Sequence, residues 1–291
     1  MAYSSVAGLL RDAGQAGSLW KAVQDDDMND RGVERGSSWA QMASLWAAMK
    51  ASQADYDANR RSASGLAGGD GGREAAAQTG LCCDFMRDII ATALQVCECN
   101  ACMRRIVAAP TAGASGVLPA VLLPLQRRDK LPDAVMVQAL YVAAGFGQVI
   151  AERASISGAE GGCQAEVGSA SGMAAAALVH VMGGTPEQMA HACAMALSNV
   201  LGLVCDPVAG LVEVPCVKRN VMGATNALAC AEMALAGITN AIPCDEVIDA
   251  MRSVGDALPA ALRETGAGGL AATPTGHRVS EFMRSGGKGE G

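Results

Sequence analysis

The sequence predicts an all-α protein: helices packed around one central small-residue helix, preceded by an N-terminal helical arm. Three observations carry this expectation. Apolar residues recur at helical spacing over several long stretches, while strand-like alternation is scarce. From 164 to 182 the chain has almost no side-chain bulk on any face: Ala165, Gly168, Ser169, Ala170, Ser171, Gly172 and Ala174 to Ala177. A helix of that kind belongs among other helices. The composition agrees, since 51% of the 291 residues are hydrophobic, only 3% are aromatic and 35 are glycine.

The elements follow in order. Residues 1–58 form the arm, where Ser37 or Ser38 caps a helix running towards Tyr56. Trp39, Met42, Leu45, Trp46 and Met49 are its apolar side. Residues 60–72, with glycine at 65, 68, 69, 71 and 72, read as a loop. A helix over 81–108 carries Phe85, Ile89, Ala93, Val96 and Cys97 on one side and ends before Pro110. Pro110 to Gly116 is a second small-residue loop, and Pro119 suits the first turn of the next helix. Another helix fits 133–152. Thr185-Pro186-Glu187-Gln188 is a helix start, with a cap, proline at the first position and glutamine three after the cap. That helix runs to about Leu201, where Gly202 stops it. Residues 206–218 are irregular around Pro207, Gly210 and Pro215. A helix over 219–236 ends at Gly237, and short helices fit 245–254 and 258–264. Residues 59–277 make the main domain, and 278–291 read as a mobile tail.

Composition narrows the function. The net charge is −7 and no run of Lys or Arg appears, so no nucleic-acid partner is expected. Met1 to Leu10 shows no basic region followed by an apolar stretch, so it does not read as a signal peptide. The apolar stretch Ala165 to Met182 is broken by Glu166, Ser169, Ser171 and His180, which favours a buried helix over a membrane span. A cytoplasmic protein is the expectation. Its 11 cysteines are then reduced, and serve as core residues, metal ligands or nucleophiles.

Cys97, Cys99 and Cys102 tempt a metal reading. They lack a fourth cysteine at ferredoxin spacing and a second pair at a distance, so packing is the better account. Cys82, Cys83, Cys193, Cys230 and Cys244 are read the same way. Cys163, Cys205 and Cys216 each sit at a break in the chain. Cys163 follows Gly161-Gly162 and opens the small-residue helix, where the positive end of the helix favours a thiolate. Cys205 precedes Asp206-Pro207, a position pushed out of the α region. Cys216 follows Pro215. On the residues alone, ligation and packing both stay open for these three.

Four motifs then carry a resemblance: Ser64-Gly65-Leu66-Ala67-Gly68-Gly69-Asp70, Pro110-Thr111-Ala112-Gly113-Ala114-Ser115-Gly116, Gly162-Cys163-Gln164-Ala165-Glu166-Val167-Gly168-Ser169-Ala170, and Cys205-Asp206-Pro207-Val208-Ala209-Gly210-Leu211-Val212-Glu213-Val214-Pro215-Cys216. In this order they resemble the iron–sulfur-dependent L-serine dehydratases (L-serine ammonia-lyases), specifically their α chain. Ala67 stands where that family has threonine. The resemblance spans about residues 60 to 276. It implies a [4Fe–4S] cluster held by Cys163, Cys205 and Cys216, and makes 59–277 an iron–sulfur catalytic domain.

It also implies β-elimination of water from L-serine to give pyruvate and ammonia. Three protein thiolates leave one iron open to act as Lewis acid on the substrate hydroxyl. The loop Thr111, Ala112, Gly113, Ala114, Ser115 and Gly116, with Ser64 and Gly65, is implied to bind substrate. Its amides and hydroxyls suit a carboxylate, although an ordinary interhelical turn would look the same. Asp206, Glu213 and Asn220 flank the ligands and either support them or cap helices. Lys218, with Arg219, is read as offsetting the cluster's negative charge. His180, His191 and His277 have no better claim than core or capping roles. No general base is visible in the chain. The family's Ser-Ser-His-Thr module, fused in some members, is absent here, so a separate β chain is expected to supply the base within an oligomer. Two alternatives stand beside this reading: a related iron–sulfur lyase acting on L-cysteine, and a non-catalytic iron–sulfur subunit.

Overall fold

A computed structural model describes residues 3–286. Its α-helices, in chain order, are α1 (Val6–Ala16), α2 (Leu19–Arg31), α3 (Arg35–Ala54), α4 (Asp70–Ala76), α5 (Asp84–Ala101), α6 (Val117–Asp129), α7 (Asp133–Arg153), α8 (Gly158–Gly161), α9 (Ser169–Val181), α10 (Pro186–Ser198), α11 (Cys216–Leu235), α12 (Cys244–Ala257) and α13 (Pro274–Arg284). No β-strand occurs among the described residues, where a single parallel bridge joins Cys205 to Arg263. The all-α expectation holds.

The small-residue helix α9 is central. Every residue from Ser169 to Val179 is buried, and α6, α7, α10 and α11 pack around it. Lack of bulk is what allows this. A Cβ at Gly172 would stand 2.9 Å from Cys193 Sγ of α10, and one at Gly223 of α11 would stand 2.7 Å from Val167 Cγ1. The stretch 164–182 does not begin as α-helix, however; Gln164–Gly168 is a π-helical turn, a feature that often marks functional sites. Helix α7 is long and apolar enough to cross a membrane by composition, but 67% of its apolar window is buried in the bundle, where it packs on α2, α3 and α9.

Local signals set several boundaries. Helix α10 opens with the expected capping box: the Gln188 amide donates to Thr185 Oγ1 at 3.3 Å and the Thr185 amide to Gln188 Oε1 at 2.9 Å. Helix α5 is shorter than 81–108. Met103 takes a left-handed φ of 58°, and the Arg104 amide bonds back to the Cys99 carbonyl at 2.8 Å, a Schellman stop. The span 258–264 holds only a 3₁₀ turn, Ala260–Leu262.

Three expectations need larger correction. Residues 60–72 are not all loop, because Asp70, Gly71 and Gly72 open α4. The buried Glu98 carboxylate accepts the amides of Asp70 (2.8 Å) and Gly71 (3.2 Å), replacing the cap that the local sequence lacks. The first three helices join the main core through Val6, Leu9, Leu19, Val23, Trp46 and Met49. Asp245 of α12 caps α1 by accepting the amides of Val6 (2.8 Å) and Ala7 (3.1 Å). The segment read as a tail from 278 continues as α13 to Arg284, capped by Thr273; residues 287–291 lie outside the described residues.

Candidate active site

Three chain segments bring Cys163, Cys205 and Cys216 together. Cys163 stands between α8 and the π-turn. Gly162, at φ 75°, makes the bend, and a Cβ there would press on the Leu203 carbonyl oxygen at 2.8 Å. Gln164, buried, ties this bend down: its side chain accepts from the Gly202 amide (2.8 Å) and donates to the Met251 carbonyl (2.9 Å). Its amide donates to the Leu203 carbonyl at 3.0 Å. The segment leading to Cys205 is therefore fixed against the Cys163 bend. Cys205 itself is clasped by the C-terminal segment, its amide donating to Leu262 O (2.9 Å) and its carbonyl accepting from the Glu264 amide (2.7 Å). Cys216 is the first residue of α11 and not part of the irregular stretch.

The thiols share one environment. Burial pushes Cys163 up to about 11 and Cys216 up to about 12. Cys205 is also raised, by burial first and then by Glu166, Cys163, Glu264 and Cys216. Cys163 likewise raises Cys216. Thiols that repel one another's charge in a dry place stay protonated until a cation displaces the protons. Three largely buried cysteine sulfurs in one environment are the donor type that an iron–sulfur cluster takes. Among the described residues no three His, Cys, Asp or Glu side chains close on a single ion, and four irons need their thiolates spread wider than one zinc does.

Of the basic pair, Arg219 faces this site and Lys218 does not. Arg219 lies beside Cys163 and holds the thiol's rise in check. It pairs with the buried Asp206 at 2.9 Å and donates to the Val204 carbonyl at 2.7 Å. Lys218 is 76% exposed and among the described residues pairs with Asp70, at 3.6 Å. Of the two residues read together as offsetting charge, Arg219 thus lies beside a thiol and Lys218 lies away from it, because consecutive helical residues point in directions about 100° apart. Asp206 also accepts the Leu270 amide at 2.8 Å, holding the C-terminal segment over the site.

The loop Thr111 to Gly116 contains a 3₁₀ turn, Ala112–Ala114, and leads into α6. Asn220, fully buried on α11, joins it to Cys216. It accepts the Gly116 amide (3.0 Å) and donates to the carbonyls of Gly113 (2.7 Å) and Cys216 (2.9 Å). The Gly116 amide, expected to face substrate, is thus spent on Asn220. The amides of Ala112 and Gly113 make no hydrogen bond among the described residues, and Ser115 Oγ is buried without a partner, while the Thr111 side chain lies against the Glu166 carboxylate. The two amides and the Ser115 hydroxyl are free to receive an anion.

Glu213 docks the other loop. Its buried carboxylate accepts from the hydroxyls of Ser62 (2.7 Å) and Ser64. The Ser64 hydroxyl therefore donates its hydrogen bond to Glu213, and Gly65, at φ 76°, forms the bend after it. Ala67, where the related pattern has threonine, packs against Leu94, Cys97 and Val217, and its amide donates to Ser62 Oγ at 3.2 Å.

One residue of the site escaped the sequence reading. Glu166, on the π-turn, lies between the 111–116 loop and Cys205, whose Sγ is 3.8 Å from Glu166 Oε2. Burial raises its carboxyl, Glu264 adds to the rise, and the Thr111 and Cys205 side chains oppose it. It sits inside the quoted Cys163 motif, three positions after the cysteine, and that was the available signal.

Comparison with known proteins identifies the family of the chain. Residues 15–271 match the family model described as "Serine dehydratase alpha chain". The chain is 56% identical over 231 residues to a "Probable L-serine dehydratase, alpha chain" of Bacillus subtilis, covering 78% of this chain and 77% of that one. It is 50% identical over 204 residues to an "L-serine dehydratase, alpha chain" of Peptoniphilus asaccharolyticus, covering 70% of each. A Mycobacterium tuberculosis protein named "L-serine dehydratase" is 48% identical over 184 residues, 62% of this chain and 40% of that protein. The match runs through all three cysteine segments and both loops, and the chain belongs to the serine dehydratase alpha chain family.

Proposed function

We propose that this chain is the α chain of an L-serine dehydratase and eliminates water from L-serine, giving pyruvate and ammonia. The observation that carries the reading is the convergence of Cys163, Cys205 and Cys216 beside a loop with unpaired amides and an unpaired hydroxyl. The three cysteines would hold a [4Fe–4S] cluster, which when bound supplies a Lewis-acidic iron for a hydroxyl leaving group. Arg219 offsets part of the negative charge of the thiolates, and Asp206 keeps Arg219 in place. The amides of Ala112 and Gly113 and the hydroxyl of Ser115 receive the substrate carboxylate, with the N-terminus of α6 behind them. Asn220 keeps that loop in register with Cys216, so carboxylate and hydroxyl are held at a set separation. Ser64 and Gly65 serve by keeping their loop closed on Glu213. The base that takes the Cα proton is assigned to a separate β chain, and the alpha-chain names of the relatives support that division.

The test is anaerobic purification with iron and sulfide assays, on the native chain and on Cys163→Ala, Cys205→Ala and Cys216→Ala. Each variant is expected to lose most of its iron, whereas Cys99→Ala and Cys102→Ala keep theirs. Pyruvate release from L-serine is expected only with the β chain added. A colourless, iron-free native chain, or full turnover by this chain alone, would reject the corresponding part of the proposal.

A further inference from the structure

Resting on that reading, we propose that Glu166 receives the α-ammonium group of the substrate and so selects a 2-amino acid over its analogue lacking the amine. The carboxylate has space made for it on two sides. A Cβ on Gly113 would stand 3.1 Å from Glu166 Oε1, and one on Gly158 would stand 2.8 Å from Glu166 Oε2 and 3.0 Å from Cys205 Sγ. Both positions are glycine, so the loop on one side and α8 on the other leave the carboxylate in contact with the site. Its neighbours are Cys205, Thr111 and the second carboxylate Glu264, which also comes within 3.1 Å of the Gly158 Cβ position. Among the described residues no Lys, Arg or His pairs with Glu166. Arg219, the cation nearest the thiols, is engaged with Asp206 and the Val204 carbonyl.

A largely buried carboxylate beside a second carboxylate, with no cation of its own, lacks the partner that buried charges require. The ammonium group of an amino acid supplies it. Three attachments then converge on one substrate: carboxylate at Ala112 and Gly113, ammonium at Glu166, and hydroxyl towards the three cysteines. Three fixed substituents on a tetrahedral carbon leave its hydrogen one direction. A base on the β chain has to approach along that direction, and the mirror-image substrate would turn its hydrogen away.

The experiment uses the assembled enzyme, with cluster and β chain, and compares Glu166→Gln and Glu166→Asp with the native protein. L-Serine and 3-hydroxypropanoate, which lacks only the amine, are titrated against the visible absorption and circular-dichroism signals of the cluster, so binding is read apart from turnover. Native enzyme is expected to prefer L-serine. Glu166→Gln is expected to weaken L-serine binding about 10- to 100-fold, as for loss of a charge-assisted hydrogen bond, and to change 3-hydroxypropanoate binding by less than about threefold. Glu166→Asp restores part of the preference. Equal weakening of both ligands, or an unchanged preference in Glu166→Gln, overturns the assignment. Should Glu166→Gln take up no iron, Glu166→Asp decides alone, and a native-like preference with its shortened side chain counts against ammonium binding. If the native enzyme shows no cluster signal or no response to L-serine, it is the proposed function that fails and not this assignment.

Discussion

Asn220 accepts the Gly116 amide at 3.0 Å while donating to the Cys216 carbonyl at 2.9 Å. One side chain therefore spans the 111–116 loop and the start of α11, 100 residues apart in the chain counted from Gly116 to Cys216. Replacing it with alanine strands a buried amide and two carbonyls. Asn220→Ala is expected to lose about 1–3 kcal/mol of stability and to raise KM for L-serine more than Asn220→Asp does. Thermal unfolding and steady-state kinetics on both variants check this, and unchanged values for Asn220→Ala would refute it.

Arg219 and Lys218 are adjacent in sequence and opposite in setting. Arg219→Met is expected to lower iron content after anaerobic reconstitution, since Cys163 loses its cation and Asp206 is left buried without one. Lys218→Met, at a position 76% exposed, is expected to keep its iron and to change stability by less than about 0.5 kcal/mol. Equal iron content in the two variants would contradict the assignment.

Gly116 lies where a methyl group would meet Cys97 Sγ at 2.4 Å and the Ala93 carbonyl at 3.0 Å. Gly116→Ala is expected to cost about 1–3 kcal/mol through overpacking. Removing the sulfur in Cys97→Ala relieves the nearer clash, so the double variant should recover more than about 0.5 kcal/mol relative to additivity. Denaturant midpoints for the four proteins of this cycle measure the coupling.

Asp133 ties the early helices to the bundle. It accepts from Lys50 (2.6 Å), Gln126 (2.8 Å) and the buried Trp46 indole (3.1 Å). The Lys50 and then the Gln126 hydrogen bond hold its carboxyl down from 3.8 to about 2. A lowered carboxyl contributes stability that is complete above its unfolded value and fades as pH falls. The native chain should therefore lose stability between 3.8 and about 2 more steeply than Asp133→Asn. Unfolding midpoints followed across that interval test the difference; parallel curves would rule the contribution out.

Local chemistry in the chain was enough for the helical class, the bulk-free helix later found at α9, and the Thr185 cap that opens α10. Those features rest on periodicity and on groups three or four residues apart. The cysteine trio was legible through its motifs, with its residues alone leaving packing open. Residues further apart settled the rest. Gly71 and Gly72 are helical because Glu98, on α5, accepts the amides at the start of α4. The Gly116 amide is not left unpaired because Asn220 reaches it from α11. Glu166 reaches both the 111–116 loop and Cys205 because Gly113 and Gly158, from separate segments, both leave room for it. Propensity and spacing act within a turn or two of the backbone, whereas the partner of a buried polar group is selected when helices distant in the chain pack together.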